Sequence, residues 1–271
     1  REPLSDQDFS IVADHFEYDS SSPLESVTIG SWPHRIPYVI EKVEFSSIHG
    51  ERVPAYFTHP KDSTDAVYPA VLLLHGANGF WGKNEDWALE WMDLLAREGW
   101  CVLVADFYGF GERKEAGQGA AWEKPPYAAR DALIQSVTDQ RRGLDYLMAR
   151  SEVDTTRIGL LGGSMGGYFG VMVAGLEQRF AAVVLTVTGA WPGNLGTDDP
   201  LGRFGHTLNF APRLSAPLLM VNATGDGRAA GKELFDNMPD PKKQIWYESE
   251  HYLPPREYNE DILAWLHEQL D

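Results

Sequence analysis

Three side chains have the types and chain order that nucleophilic acyl transfer needs: Ser164, Asp226 and His251. Ser164 stands in Gly162-Gly163-Ser164-Met165-Gly166, the G-x-S-x-G pattern of a nucleophile elbow. A serine hydroxyl is a poor nucleophile unless a base takes its proton and the backbone presents it outward. The elbow does this in a strained turn that costs about 1–3 kcal/mol. Side chains two positions before and after Ser164 would collide across that turn, and Gly162 and Gly166 have none. The Met165 amide falls at the start of the next helix, where it can point at a developing oxyanion. A phosphate-binding loop would need G-x-G-x-x-G or G-K-[ST], and this turn has neither.

The base and its orienting acid must come from other strand ends, because functional groups in open α/β sheets gather at the carboxyl ends of strands. Asp226 follows an apolar run directly, in a Gly-Asp-Gly turn. His251 lies 25 residues further on, room for a helix, a strand and a loop. Asp198 and Asp199 compete with Asp226 for the role of acid, but they lie in an aperiodic stretch and not at an expected strand end.

The elements that must position these groups read as follows. Val39 to Phe45 and Val53 to Phe57 alternate apolar and polar residues around Ser46 to Gly50, an antiparallel hairpin. Apolar runs at Ala70–Leu74, Trp100–Ala105, Ile158–Leu161, Ala182–Val187 and Pro217–Ala223 read as buried strands, and Gln244–Tyr247 as the last. Helical spacing appears in Trp87, Trp91, Leu94 and Leu95, in Leu133 to Met148, and in Ile262, Trp265 and Leu266. Buried strands alternating with helices predict an α/β fold. Its central sheet is mainly parallel, opened by the N-terminal antiparallel hairpin and covered by helices on both faces. Residues 1–37, with four prolines and Ser20-Ser21-Ser22, read as an extended arm. Residues 38–271 then form one domain with a short insertion at about 189–213, expected over the site.

Composition narrows the partners. A net charge of −17 argues against nucleic acid and anionic membrane, which require clustered Lys and Arg. No apolar run reaches the roughly 18 residues of a membrane helix. The expected partner is a small-molecule ester substrate; oligomeric state is left open. The single cysteine, Cys101, cannot form an internal disulfide and reads as a small core residue. No H-E-x-x-H or clustered Cys/His pattern calls for a metal, and no cofactor is expected. The first residue is Arg, which fits a mature exported form or a shortened chain, with a slight lean to export.

Together these residues resemble the α/β-hydrolase family, from about Val39 to the C-terminus. The match is carried by His75-Gly76-Ala77, Asp106-x-x-Gly109-x-Gly111, Gly162-x-Ser164-x-Gly166, Asp226 and His251. Val43 to Pro60, and His251-Tyr252-Leu253-Pro254 followed by Trp265-Leu266, are similar to the branch of dienelactone hydrolases and acetyl-xylan-esterase-like enzymes. The resemblance implies Ser164 as nucleophile, His251 as base and Asp226 as its acid. It implies a second oxyanion amide at Ala77, with Asn78 as the alternative. It differs from dienelactone hydrolases in its serine nucleophile, and from acetyl xylan esterases in lacking a tyrosine in the oxyanion loop. The implied reaction is hydrolysis of carboxylic esters through an acyl-enzyme. Carbohydrate deacetylase, peptidase, thioesterase and an inert binding scaffold are alternatives on the same residues. Trp81, Trp122 and Trp191 fall in segments near strand carboxyl ends and are expected to wall the site, favouring short acyl chains.

Overall fold

The computed structural model describes residues 1–33, 37–61, 66–114, 126–191, 202 and 204–271. Nine strands form one sheet: β1 (Val27–Pro33), β2 (Tyr38–Ser46), β3 (Arg52–Pro60), β4 (Tyr68–Leu74), β5 (Cys101–Ala105), β6 (Val153–Gly163), β7 (Ala182–Thr186), β8 (Leu218–Ala223) and β9 (Lys242–Tyr247). Their order is β1-β2-β3-β5-β4-β6-β7-β8-β9. The first three strands and the β3–β5 pair are antiparallel, and every pair from β5 to β9 is parallel.

This order places the site. The chain leaves β4 towards β5 on one side, and β6 then lies on the other side of β4. Such a reversal opens a crevice beyond the strand carboxyl ends. Leu74, the last residue of β4, pairs with Gly162 of β6, so the segments that begin at His75 and Ser164 leave the sheet side by side.

Residues alternate between two cores, as period-two side chains must. On one face Leu72, Leu74, Leu103, Leu160, Leu185 and Met220 pack against α3 (Pro126–Met148) and α4 (Met165–Leu176). On the other, Val71, Leu73, Val102, Val104, Leu161 and Val184 pack against α2 (Asp86–Arg97) and α6 (Pro255–Leu270), which follows α5 (Arg228–Asp236). Burying one such Leu or Val side chain is worth about 1.5–3 kcal/mol. Cys101 lies in the first core, and burial pushes its thiol up to about 12. This is the expected α/β-hydrolase arrangement, and the hairpin appears as β2 and β3 in continuous antiparallel register. No described helix is long and apolar enough to cross a membrane.

Two expectations need correction. The first 37 residues are not extended throughout. They contain α1 (Asp6–Ala13), capped by Ser5, and β1, which lengthens the sheet beyond β2. Their anchors are polar groups on α3: the buried Arg142 guanidinium donates to the carbonyls of Ser20 and Ser22, Arg141 to that of Phe16, and Tyr18 to Asp145. The segment expected over the site is partly elsewhere. Its helical turn Thr207–Phe210 is buried behind α4, where Tyr168 donates to the Gly205 carbonyl at 2.8 Å. Residues 192–201 and 203 of that segment lie outside the described residues.

Candidate active site

The elbow is strained as its sequence requires. Ser164 has φ 55° and ψ −115°, a left-handed backbone that a side chain disfavours. Two bonds hold it there: its N–H donates to Thr186 O on β7 at 3.0 Å, and its carbonyl accepts the Tyr168 N–H at 2.9 Å. The glycines are explained by close backbone approach. A Cβ on Gly162 would lie 2.4 Å from Gly166 O, and one on Gly166 would lie 2.0 Å from Leu74 O. The start of α4 is thus pressed against both β6 and the end of β4. The Met165 amide, first of α4, has no acceptor within the helix.

Ser164, His251 and Asp226 are joined by hydrogen bonds. His251 Nδ1 lies 2.7 Å from Asp226 Oδ2, and its Nε2 lies 3.0 Å from Ser164 Oγ. A carboxylate only accepts, so Nδ1 carries the proton and Nε2 is left to receive one from the serine. The loops after β8 and β9 are laced together to align the pair: Thr224 N–H donates to Tyr247 O and Gly225 N–H to Ser249 O. The imidazole is 44% exposed, so water can reach it without a conformational change. Asp198 and Asp199, the competing acids, lie outside the described residues.

The loop after β4 is fastened by His75. Its buried ring donates from Nδ1 to Gly76 O at 2.7 Å and accepts the Phe107 N–H at Nε2, at 3.1 Å. Nε2 can take no proton while it accepts, and burial pushes the imidazole down to about 4, against the pull of nearby Asp106. The unfolded chain takes up that proton near pH 6.5. Between these values the unfolded state binds more protons. This contribution is therefore complete above about pH 6.5 and is lost as pH falls towards 4, to the extent of about 3 kcal/mol. Urea unfolding at pH 7 and at pH 4.5 should show the loss, and His75→Gln should remove most of that slope. An unchanged slope in the variant would contradict this role.

Beyond His75, the Gly76 amide donates to the carboxyl of Glu85, and the Asn78 amide bonds the same group. Glu85 is 3% exposed, and burial pushes it up to about 7. Among the described residues the Ala77 N–H has no acceptor. Of the two amides proposed for the oxyanion, Asn78's is therefore engaged and Ala77's is available. The turn before Glu85 is anchored by Lys83, two residues earlier. That ammonium, fully buried, meets Asp106 at 2.7 Å and Glu112 at 2.6 Å. Gly82 and Gly111 close tightly on Asp106: a Cβ on either would come within 2.2 Å of Oδ1. This is the structural content of Asp106-x-x-Gly109-x-Gly111.

Ser164 and His251 open into a cavity of about 550 Å³. Its walls include Ala77, Trp87, Leu253 and Tyr258, together with Glu85, Asp86 and Glu90, and among the described residues no Lys or Arg. Trp87 lies hard against the elbow; a Cβ on Gly163 would sit 2.7 Å from its indole. Trp81 and Trp191 are not among the lining residues. Trp81 is 63% exposed, and Trp191 stands edge-on to Tyr168. Trp122 lies outside the described residues. Glu85 and Trp87 were missed as site residues because each has an ordinary helical reading. An acid before a first helical turn looks like a dipole partner, and Trp87 shares the apolar stripe of α2.

The sequence matches the profile of the dienelactone hydrolase family over residues 53–238. The YtaP protein of Bacillus subtilis strain 168 is 31% identical over 143 residues, 49% of this chain and 48% of that protein. The chain spans about half or less of the length of the curated relatives it matches. The acetyl xylan esterase from Paenibacillus sp. R4 superposes with a TM-score of 0.80, at 20% identity over 100% of this chain and 97% of that one. Acetyl xylan esterase 1 from Thermoanaerobacterium sp. JW/SL YS485 gives 0.80 at 19% identity, covering 100% and 96%. At such identities these two structures share the fold.

Proposed function

This chain belongs to the dienelactone hydrolase family and is a hydrolase, and from that premise we propose that it is a serine esterase acting on short-chain carboxylic esters. One observation carries the reading: the unbroken hydrogen-bonded chain Asp226–His251–Ser164, ending at a strained elbow that faces a cavity. The neighbouring fold of acetyl xylan esterases supports it.

The steps follow from the geometry. An ester carbonyl enters beside Ser164, and Oγ attacks as its proton passes to His251 Nε2. Asp226, bonded at Nδ1, stabilises the imidazolium. The carbonyl oxygen becomes an oxyanion and accepts from the Met165 and Ala77 amides, each such donor being worth about 2.7–4 kcal/mol of barrier. Collapse expels the alcohol, protonated by His251. Water then attacks the acyl-serine, giving its proton to His251, and the second collapse releases the acid and restores the Ser164 hydroxyl.

Acyl length follows from Trp87. Its indole lies against Gly163 beside the nucleophile and limits the space for a chain. Acetyl and butyryl p-nitrophenyl esters should be cleaved with kcat/KM about tenfold or more above the octanoyl ester, a difference of about 1.4 kcal/mol. Trp87→Ala should shift the profile towards longer chains, and Trp81→Ala should leave it unchanged. A monotonic rise towards long chains in the wild type would overturn the short-chain reading.

A further inference from the structure

We propose that Glu85 is a positioning residue for the oxyanion loop: its carboxylate holds the Gly76 and Asn78 amides and so leaves the Ala77 amide facing the reacting carbonyl. The inference rests on the esterase reading and deepens it.

The loop offers three successive amides, of Gly76, Ala77 and Asn78, and an oxyanion needs one of them held still. Two end on the Glu85 carboxyl. The third has no acceptor among the described residues and lines the cavity with Ser164 and His251. The acid reaches back from the residue preceding α2, where its side chain makes no capping bond to its own helix. Gly76 lets it come close: a Cβ there would lie 3.1 Å from Glu85 Oε1 and 3.2 Å from Oε2. Ala77, at φ −98° and ψ 2°, lies in the turn between the two held amides. Preorganised donors act because they need no rearrangement as charge develops, so an acceptor that immobilises the loop lowers the barrier without touching substrate. A buried acid near the oxyanion is costly, and that cost argues for a role.

Glu85→Gln tests the idea with almost no change in shape. The side-chain amide has one oxygen where the carboxylate has two, so its NH₂ is set against a backbone N–H and the loop loses an acceptor. The expected result on short-chain esters is a fall in kcat of about 10–100-fold, less than the full loss of an oxyanion donor, with KM within about twofold. Affinity for a trifluoromethyl ketone, which presents an oxyanion in the same place, should fall by a similar factor. A merely structural role would lower the melting temperature and leave that proportionality absent. Unchanged kcat, or a rise in KM alone, overturns the proposal.

A second measurement needs neither turnover nor the variant. In the wild type, the amide-proton signals of Gly76 and Asn78 should move together with one carboxyl ionisation. Asp86 lies beside Glu85, Glu90, His251 and Tyr258 line the same cavity, His75 bonds the Gly76 carbonyl, and Lys83 is turned to Asp106 and Glu112. The His251 ring signals and the side-chain carboxyl signals of Glu85, Asp86 and Glu90 report each group separately, so a shared ionisation that follows the Glu85 carboxyl alone belongs to it. Amides that do not respond overturn the proposal. A wild type that cleaves no ester refutes the esterase reading, and the amide signals then decide the positioning of the loop.

Discussion

Replacing Ser164 by alanine is expected to remove ester turnover while the protein folds as before. Members of a catalytic triad act as a unit, so loss of the nucleophile should lower kcat by more than about 10³-fold and as much as about 10⁶-fold. The fold has little reason to respond. Among the described residues Ser164 Oγ makes one side-chain hydrogen bond, to a half-exposed imidazole, and the backbone bonds to Thr186 and Tyr168 do not involve the hydroxyl. One such bond is worth about 1 kcal/mol, a shift in Tm of about 4 °C or less in a domain of this size. The strained φ of 55° persists in alanine, so no relief of strain offsets that small loss. Near-wild-type turnover by a folded Ser164→Ala protein would refute the assignment.

Asp226→Asn should be nearly as damaging. The carboxylate accepts from His251 Nδ1 at 2.7 Å and so fixes the proton on that nitrogen. An asparagine can turn its NH₂ towards the ring, which favours the other tautomer and places a proton on Nε2, where the serine proton must go. A loss of up to about 10⁴-fold in kcat is expected, with KM little altered. The variant should remain folded, because the side chain is a third exposed and the β8 and β9 loops are tied through backbone bonds of Thr224 and Gly225. If Asp198→Asn or Asp199→Asn proves the crippled variant instead, Asp226 is not the acid.

The sheet and the elbow were readable in the sequence because both obey local rules. Apolar runs of four to seven residues marked the buried strands, and a Gly pair around Ser164 marked a turn that admits no Cβ. The order Ser164, Asp226, His251 located the hydrogen-bonded partners, since each follows a strand that the pattern had already shown. The N-terminal segment was opaque for the opposite reason. α1 and β1 are short, and what holds the segment is a set of carbonyls meeting Arg141 and Arg142 on a helix more than a hundred residues away. Nothing in a helix's apolar stripe reports which backbone its arginines will bind. The cavity wall was opaque too. Closeness in sequence to a strand end pointed to Trp81, Trp122 and Trp191; Trp122 lies outside the described residues, and among those the lining tryptophan is Trp87, inside α2, directed by helix phase onto Gly163. Glu85 was hidden likewise, its partners being backbone amides that carry no side-chain signal.

Catalysis by Ser164 requires a covalent adduct on its hydroxyl, and one measurement addresses that directly. The protein is treated with a fluorophosphonate, its intact mass recorded, and the modified residue located by peptide mapping. Labelling of one equivalent, on Ser164 alone, in step with loss of p-nitrophenyl acetate hydrolysis, and absent in His251→Ala, is the result predicted. Ester hydrolysis that survives complete labelling of Ser164, or a label that settles on another residue as activity is lost, would contradict it.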